Sequence, residues 1–311
     1  MRAIFALALL AACGGSQNTP CDASADGDAV DAAPEATSDD SGDAADEIDA
    51  PVRPANTFRL VAANITSGNN QAYEDPGIRI FQGLLPDVVL IQEFNYQSGT
   101  LRDLVDTAFG TNYSFFVEPT GTIPNGIVSR YPIMNAGSWV DASTTDRGFA
   151  WAYIDLPGAT DLFAVSLHLL TSSATARDTE AKQVVSLVQA NAPQGAYIAI
   201  GGDFNTDATT EAALADLGAV VVVAPPFPAD QDGNTNTSTN RNRPHDWVLA
   251  SPSLDAQKVA AWVGTSIYDD GLVFDSRVYT PLSDVAPVLA TDSAVTGMQH
   301  MPVVRDFTIS P

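Results

Sequence analysis

A carboxylate and a carboxamide stand two residues apart in the stretch YIAIGGDFNTD, Tyr197 to Asp207. Its apolar beginning, Tyr197 to Ile200, reads as a buried strand, and the two glycines that follow let the backbone turn sharply. Asp203 and Asn205 then reach the rim of a sheet on one face, because side chains alternate along extended chain. Taken alone, Asp-Phe-Asn serves equally well as turn chemistry. Its company decides the matter: Asn64, Glu93, His168, Asp246 and His300 each stand at or near the end of another apolar run.

Together these residues point to hydrolysis of a phosphate ester. Glu93 is the first charged residue after VVLIQ, and a carboxylate at the mouth of a buried strand is costly unless paired, solvated or metal-bound. It is a hard oxygen ligand of the kind Mg²⁺ prefers, with Mn²⁺ or Ca²⁺ as alternatives. Such a metal polarises a phosphoryl oxygen and neutralises developing charge. A histidine oriented by a carboxylate supplies a proton donor or a transition-state hydrogen bond, and Asp203 could hold and activate the attacking water. His168, in the apolar run LFAVSLHLL, also fits the pattern of a satisfied core histidine. No Gly-rich phosphate loop, Gly-x-Ser-x-Gly elbow, zinc-type His/Cys cluster or internal repeat is present.

The elements that must position these residues follow from periodicity. Strands are expected at Phe58 to Ala63, Val88 to Phe94, Tyr113 to Val117, Gly126 to Ile133, Arg147 to Leu156, Leu162 to Leu170, the Tyr197 run, Ala219 to Val223, Arg243 to Ser251 and Val303 to Phe307. Helices are expected at Ile78 to Leu85, Leu101 to Phe109, Ala174 to Asn191 and Thr209 to Leu217, the third with an apolar stripe of Val184, Val185, Leu187 and Val188. The order lacks a strict βαβ rhythm, which argues for an α/β fold with mixed sheets. A long polar loop from Pro225 to Arg243 carries Arg241 and Arg243, and long loops in compact domains are usually functional or disordered. Both arginines are therefore expected to bind substrate.

The chain divides into residues 1–13, 14–56 and 57–311. Residues 1–13, MRAIFALALLAAC, carry one Arg and an apolar run too short to span a bilayer. Leu10-Ala11-Ala12-Cys13 resembles the bacterial lipoprotein signal, which implies cleavage before Cys13, lipid on its thiol, and an exported, membrane-anchored protein. Residues 14–56 have eleven acids and one Arg and lack aromatics, the composition of a disordered tether. Cys21 is the only other cysteine, so no disulfide framework supports the head, 57–311. From Thr57 onward, 27 acids face 12 bases, a net of −15, with two lysines in all. Recognition of long duplex DNA draws on phosphate neutralisation by Lys and Arg and is disfavoured here. A monomer is expected.

From Phe58 to Phe307 the ordered motifs resemble the endonuclease/exonuclease/phosphatase (deoxyribonuclease-I-like) superfamily. They are Asn64, Gln92-Glu93, Ser129-x-x-Pro132-Ile133, His168, Gly202-Asp203-Phe204-Asn205, Asp246 and His300-x-Pro302-Val303. The resemblance implies a four-layer α/β sandwich of two packed mixed sheets flanked by helices. It further implies Glu93 as principal metal ligand, Asn64 by the metal and scissile phosphate, and His168 hydrogen-bonded to a phosphate oxygen. Asp203 would position or deprotonate water, Asn205 orient the phosphate, and Asp246 brace a charged His300. Arg147 and Arg177 take familiar positions, with structural support and substrate contact both open. His245 falls where the family has an apolar residue and is left out of the site. Met298-Gln299-His300 replaces the usual Ser-Asp-His, which implies a single metal and a slower enzyme. Nuclease, sphingomyelinase-like or inositol phosphate esterase, and non-catalytic scaffold are the readings that follow.

Overall fold

The computed structural model describes residues 53–66 and 74–309. The expected signal segment, Cys13 and nearly all of the expected tether therefore lie outside the described residues. Among those described, no helix is long and apolar enough to cross a membrane.

The chain runs β1 (Thr57–Ala63), α1 (Glu74–Leu84), β2 (Val88–Ile91), α2 (Leu101–Ala108), β3 (Ser114–Val117), β4 (Gly126–Ser129), β5 (Ile133–Val140), β6 (Gly148–Ile154) and β7 (Leu162–His168). It continues through α3 (Ala174–Asn191), β8 (Tyr197–Asp203), α4 (Ala212–Leu217), β9 (Asp246–Ala250) and α5 (Pro252–Asp255). Four short strands follow, β10 (Lys258–Val259), β11 (Ala261–Val263), β12 (Ser266–Tyr268) and β13 (Leu272–Val273), before β14 (Val303–Thr308). One large sheet has the order β10-β14-β1-β2-β4-β3, with β13 also on β14; the second is β5-β6-β7-β8-β9, and β11 and β12 form a separate two-stranded ribbon. Both larger sheets mix parallel and antiparallel pairs.

Alternation along the second sheet sorts its side chains into two cores. Leu162, Ala164, Ala199, Val248 and Ala250 pack with the first sheet, whose other face takes Phe81 and Leu84 of α1 and Leu104 of α2. Phe163, Val165, Leu167, Ile200 and Leu249 point the other way and meet Ala181, Val184 and Val188 of α3 and Leu214 of α4. Two sheets inside and helices outside give the four-layer sandwich. Strands buried on both faces explain the near-continuous apolar runs of β7 and β8. The helix ends have local causes too: Ser173 caps α3 by accepting from the Ala176 N–H, and Thr100 and Asp103 form a reciprocal capping box on α2.

Several expectations are corrected. Ala219 to Val223 is not a strand; it follows α4 as a turn, and Val222 reaches the Ala250 carbonyl with one backbone bond of 2.7 Å. The run expected to end at Ile133 stops at Ser129, and Ile133 opens the separate edge strand β5 instead. That strand is half-exposed along most of its length and bulged at its start, so its apolar alternation is weak. Strand β2 ends at Ile91, because Glu93 adopts a left-handed backbone, φ 51°. Helix α1 starts a turn earlier than its apolar spacing suggested, at Glu74.

Gly202 shows how tightly the end of β8 is set. Its φ of 133° is outside the range of L residues, and a Cβ there would lie 2.1 Å from the Leu167 carbonyl oxygen and 2.6 Å from Gln92 Nε2. Gly202→Ala is expected to cost at least ~2 kcal/mol, from backbone strain and this clash. Urea unfolding measures it, and an unchanged midpoint would show that the backbone relaxes freely.

Candidate active site

Strand register places three of the named residues at one level. His168 of β7 pairs with Asp203 of β8, which pairs with Asp246 of β9. Strands β7 and β8 run parallel and end here, whereas antiparallel β9 begins here. The first sheet does the same: parallel β1 and β2 end beside Asn64 and Glu93, and antiparallel β14 begins just after His300. All six positions thus meet on one shared rim. Asp203 is 1% exposed, Asn64 1%, Asp246 3%, His168 4% and His300 6%, so nearly all of this polar chemistry is withdrawn from water.

Asp203 is the hub. Its Oδ2 lies 3.3 Å from His168 Nε2 and 3.4 Å from His300 Nε2, and accepts from Asn64 Nδ2 at 3.1 Å. Burial pushes this carboxyl up, but His300, His168, His245 and the Asn64 amide outweigh it and hold it below the ordinary carboxylate range. Asn205 reaches the site by a turn rather than by strand alternation. With φ 51°, its N–H donates to Asp203 Oδ1 at 2.9 Å, and its amide Nδ2 donates to the Leu169 carbonyl at 2.9 Å.

The two histidines diverge. Burial drives His168 down to about 3, against the pull of Asp203, so it is a neutral imidazole. Burial also pushes on His300, yet Asp203 and Asp246 overcome it and raise the imidazole to about 10. His300 Nδ1–H donates to Asp246 Oδ2 at 3.0 Å, which fixes the ring and keeps it an imidazolium at neutral pH.

Two oxygens fit a hard divalent cation. Asn64 spreads its amide nitrogen between Asp203 and Glu93 Oε1, the latter 3.3 Å away, and this leaves its buried Oδ1 without any hydrogen-bond partner. Burial raises the Glu93 carboxyl, against the Asn64 hydrogen bond, so its charge too lacks full compensation. An orphaned amide oxygen beside an under-compensated carboxylate is the donor set that Mg²⁺ takes together with water.

The profile of the Endonuclease/Exonuclease/phosphatase family matches residues 50–284. The chain belongs to that family. No curated protein matches it. Among solved structures it is similar to an endonuclease/exonuclease/phosphatase from Beutenbergia cavernae at 16% identity and TM-score 0.56, covering 82% of this chain and 72% of that one. A humanized D. rerio TDP2 follows at 16% identity and TM-score 0.54, covering 82% and 100%, and sphingomyelinase C from Streptomyces griseocarneus at 16% and 0.52, covering 81% and 99%. At such identities the likeness is one of fold.

Around the site of this family member, the arginines separate. Arg241 does not face the rim. Its guanidinium is paired with Asp230 and Asp275, each at 2.7 Å, and also bonds the Asn236 and Asn234 carbonyls, so it braces the 225–243 loop from inside. The expected substrate contact is corrected accordingly. Arg243 does line the cavity beside His300, 56% exposed and 2.9 Å from Asp207. Arg147 donates to the His168 and Leu169 carbonyls and so clamps the end of β7, while Arg177 is held by Glu211 and Asp207. Both are supports. His245, left out on sequence grounds, belongs with the others: its ring centre is 5.7 Å from that of His300, and ligand atoms of Asp203, His245 and His300 all lie within 4.8 Å of one another. The alternation rule sets 245 and 246 on opposite faces, but His245 precedes the strand, where the rule has no force.

Two measurements follow. NMR titration of the ring protons in metal-free protein should find His300 protonated until about pH 10 and His168 neutral above about pH 3. The charge of His300 then stabilises the fold fully below its unfolded pKa of about 6.5, and this is lost as pH rises toward the folded value. Asp246→Asn should shift that midpoint downward. Separately, Arg241→Ala should lower stability by roughly 2 kcal/mol or more, because Asp230 loses its cation in a buried setting, whereas exposed Arg243→Ala should change it by less than ~0.5 kcal/mol.

Proposed function

We propose that the protein is a divalent-metal-dependent phosphodiesterase, with Mg²⁺ held by Glu93 and Asn64. The observation that carries this reading is the single buried level on which His168, Asp203 and the Asp246–His300 pair meet, beside the orphaned Asn64 oxygen. When bound, the metal supplies Lewis-acid polarisation of a phosphoryl oxygen. The remaining work belongs to side chains. Asp203, an anion at neutral pH, positions the attacking water and accepts its proton. His300, an imidazolium held by Asp246, donates to the phosphoryl oxygens as negative charge builds on them. His168 and Asn205 orient the phosphate group, with Arg147 fixing the strand end from which His168 projects. The net −15 of the head keeps long duplex DNA away, so a small or single-stranded ester suits it better. We also propose that Cys13 anchors an exported, monomeric protein to a membrane, so that the reaction takes place outside the cytoplasm.

The full chain should hydrolyse bis-p-nitrophenyl phosphate with Mg²⁺ and stop when the metal is chelated. Asp203→Ala and His300→Ala should each cut kcat by roughly 10²–10⁴-fold, and Glu93→Gln should weaken Mg²⁺ binding in calorimetry. A folded, metal-loaded protein inert toward this diester, single-stranded DNA and sphingomyelin would leave a binding scaffold.

A further inference from the structure

Beside His300 and Asn205 opens a cavity of about 470 Å³. Its wall is the 225–243 loop, docked on the residues before β14: Thr239 N–H donates to the Gln299 carbonyl at 2.8 Å, Met301 N–H to the Thr237 carbonyl at 2.8 Å, and Ser238 bridges His300. Arg241 holds the loop's own carbonyls, so the wall is rigid before any ligand arrives. What this wall presents is amide and hydroxyl. Gln299, Asn240, Thr239 and Thr171 line the cavity and make no side-chain hydrogen bond among the described residues. Asn242 uses its Oδ1 to accept from Ser238 Oγ at 3.1 Å, which leaves its amide hydrogens for a ligand.

The lining is as informative for what it omits. Among the described residues it contains no Phe, Tyr, Trp, Leu, Ile, Val or Met. A nucleobase finds no aromatic platform to stack on apart from the imidazoles, and an acyl chain or ceramide finds no apolar wall. Nor does it contain lysine, and its one arginine, Arg243, is already matched by Asp207 at 2.9 Å. The remaining cation, the His300 imidazolium, is already matched by Asp246 at 3.0 Å and Asp203 at 3.4 Å, so a substituent bearing further phosphates would lack counter-charge. What remains is a neutral group that makes many hydrogen bonds. A hydroxyl both donates and accepts, and so does an amide, whereas a carboxylate only accepts. Gln299 stands where the resemblance leads one to expect Asp; the change removes an anion and adds a two-way hydrogen-bonding group facing the cavity.

We propose that this cavity takes the alcohol portion of the substrate, and that this alcohol is a neutral polyol esterified to the scissile phosphate. Gln299, Asn240 and Asn242 hold its hydroxyls. The inference rests on the phosphodiesterase reading and narrows it to one class of ester. The full chain with Mg²⁺ is given four diesters: glycerophosphoinositol, p-nitrophenyl phosphocholine, thymidylyl-thymidine and bis-p-nitrophenyl phosphate. A fifth arm, phosphatidylinositol in vesicles, separates a lipid-borne polyol from a soluble one. The expected result is a kcat/KM for an inositol ester at least roughly tenfold above those of the choline and nucleoside diesters. Gln299→Leu and Asn240→Leu should each reduce that preference by about tenfold, through KM. Hydrolysis of bis-p-nitrophenyl phosphate without preference for either inositol ester, or a preference that survives both substitutions, overturns the polyol assignment while the phosphodiesterase reading stands. Absence of turnover on all five overturns both.

Discussion

A carboxylate with 1% of its surface exposed stays ionised only if its surroundings supply charge and hydrogen bonds. Asp203 is such a group, and most of the rim is arranged to satisfy it. His300 gives it a cation, Asn64 an amide, His168 an imidazole nitrogen 3.3 Å away, and Asn205 a backbone N–H. Those partners come from both sheets and from three separate loops. The buried charge therefore ties together the ends of β1, β7, β8 and β14, and through Asp246 and His300 the start of β9. It also sets the two histidines apart in protonation, because His300 has a second carboxylate behind it and His168 has only the one they share.

The same economy runs outward from the rim. Glu93 and Asn205 both hold left-handed backbones, a local cost of the kind that functional sites carry when surrounding structure over-determines them. Thr66 Oγ1 donates to the Gln92 and Glu93 carbonyls at 2.9 and 2.7 Å, and Arg147 donates to the carbonyls leaving β7. Gln92 crosses between the sheets to Ser166 Oγ at 2.9 Å. The polar wall of the neighbouring cavity is held by a different device, the Arg241 guanidinium fixed between Asp230 and Asp275. The rim and the loop side of the cavity are thus separately braced and meet at His300, whose backbone bridges the loop and whose ring faces Asp203.

Much of this was legible in the chain. Strands buried on both faces must be apolar throughout, so β1, β2, β7 and β8 announced themselves, and a polar residue at the end of such a run has few reasons to be there but chemistry. The 18-residue α3 and its stripe were equally plain. Half-exposed β5 was not, since an edge strand with one neighbour needs little apolar alternation. The Ala219 to Val223 run shows the reverse error: it has the composition of a strand but beside β9 forms one backbone bond instead of a ladder.

Sequence by itself determined the fold class, the family and the residue types at the rim, because burial periodicity and ordered motifs are properties of the chain. Tertiary structure alone decided which of two similar residues is used and how. Arg241 and Arg243 are two positions apart in one polar loop, yet one is spent on internal carboxylates and the other faces the cavity. His245 entered the site and Asn205 turned into it through backbone angles that no periodicity encodes. The protonation of His168 and His300 was likewise decided in space. A pKa reports the charges within a few ångströms, and those come from residues tens to hundreds of positions away.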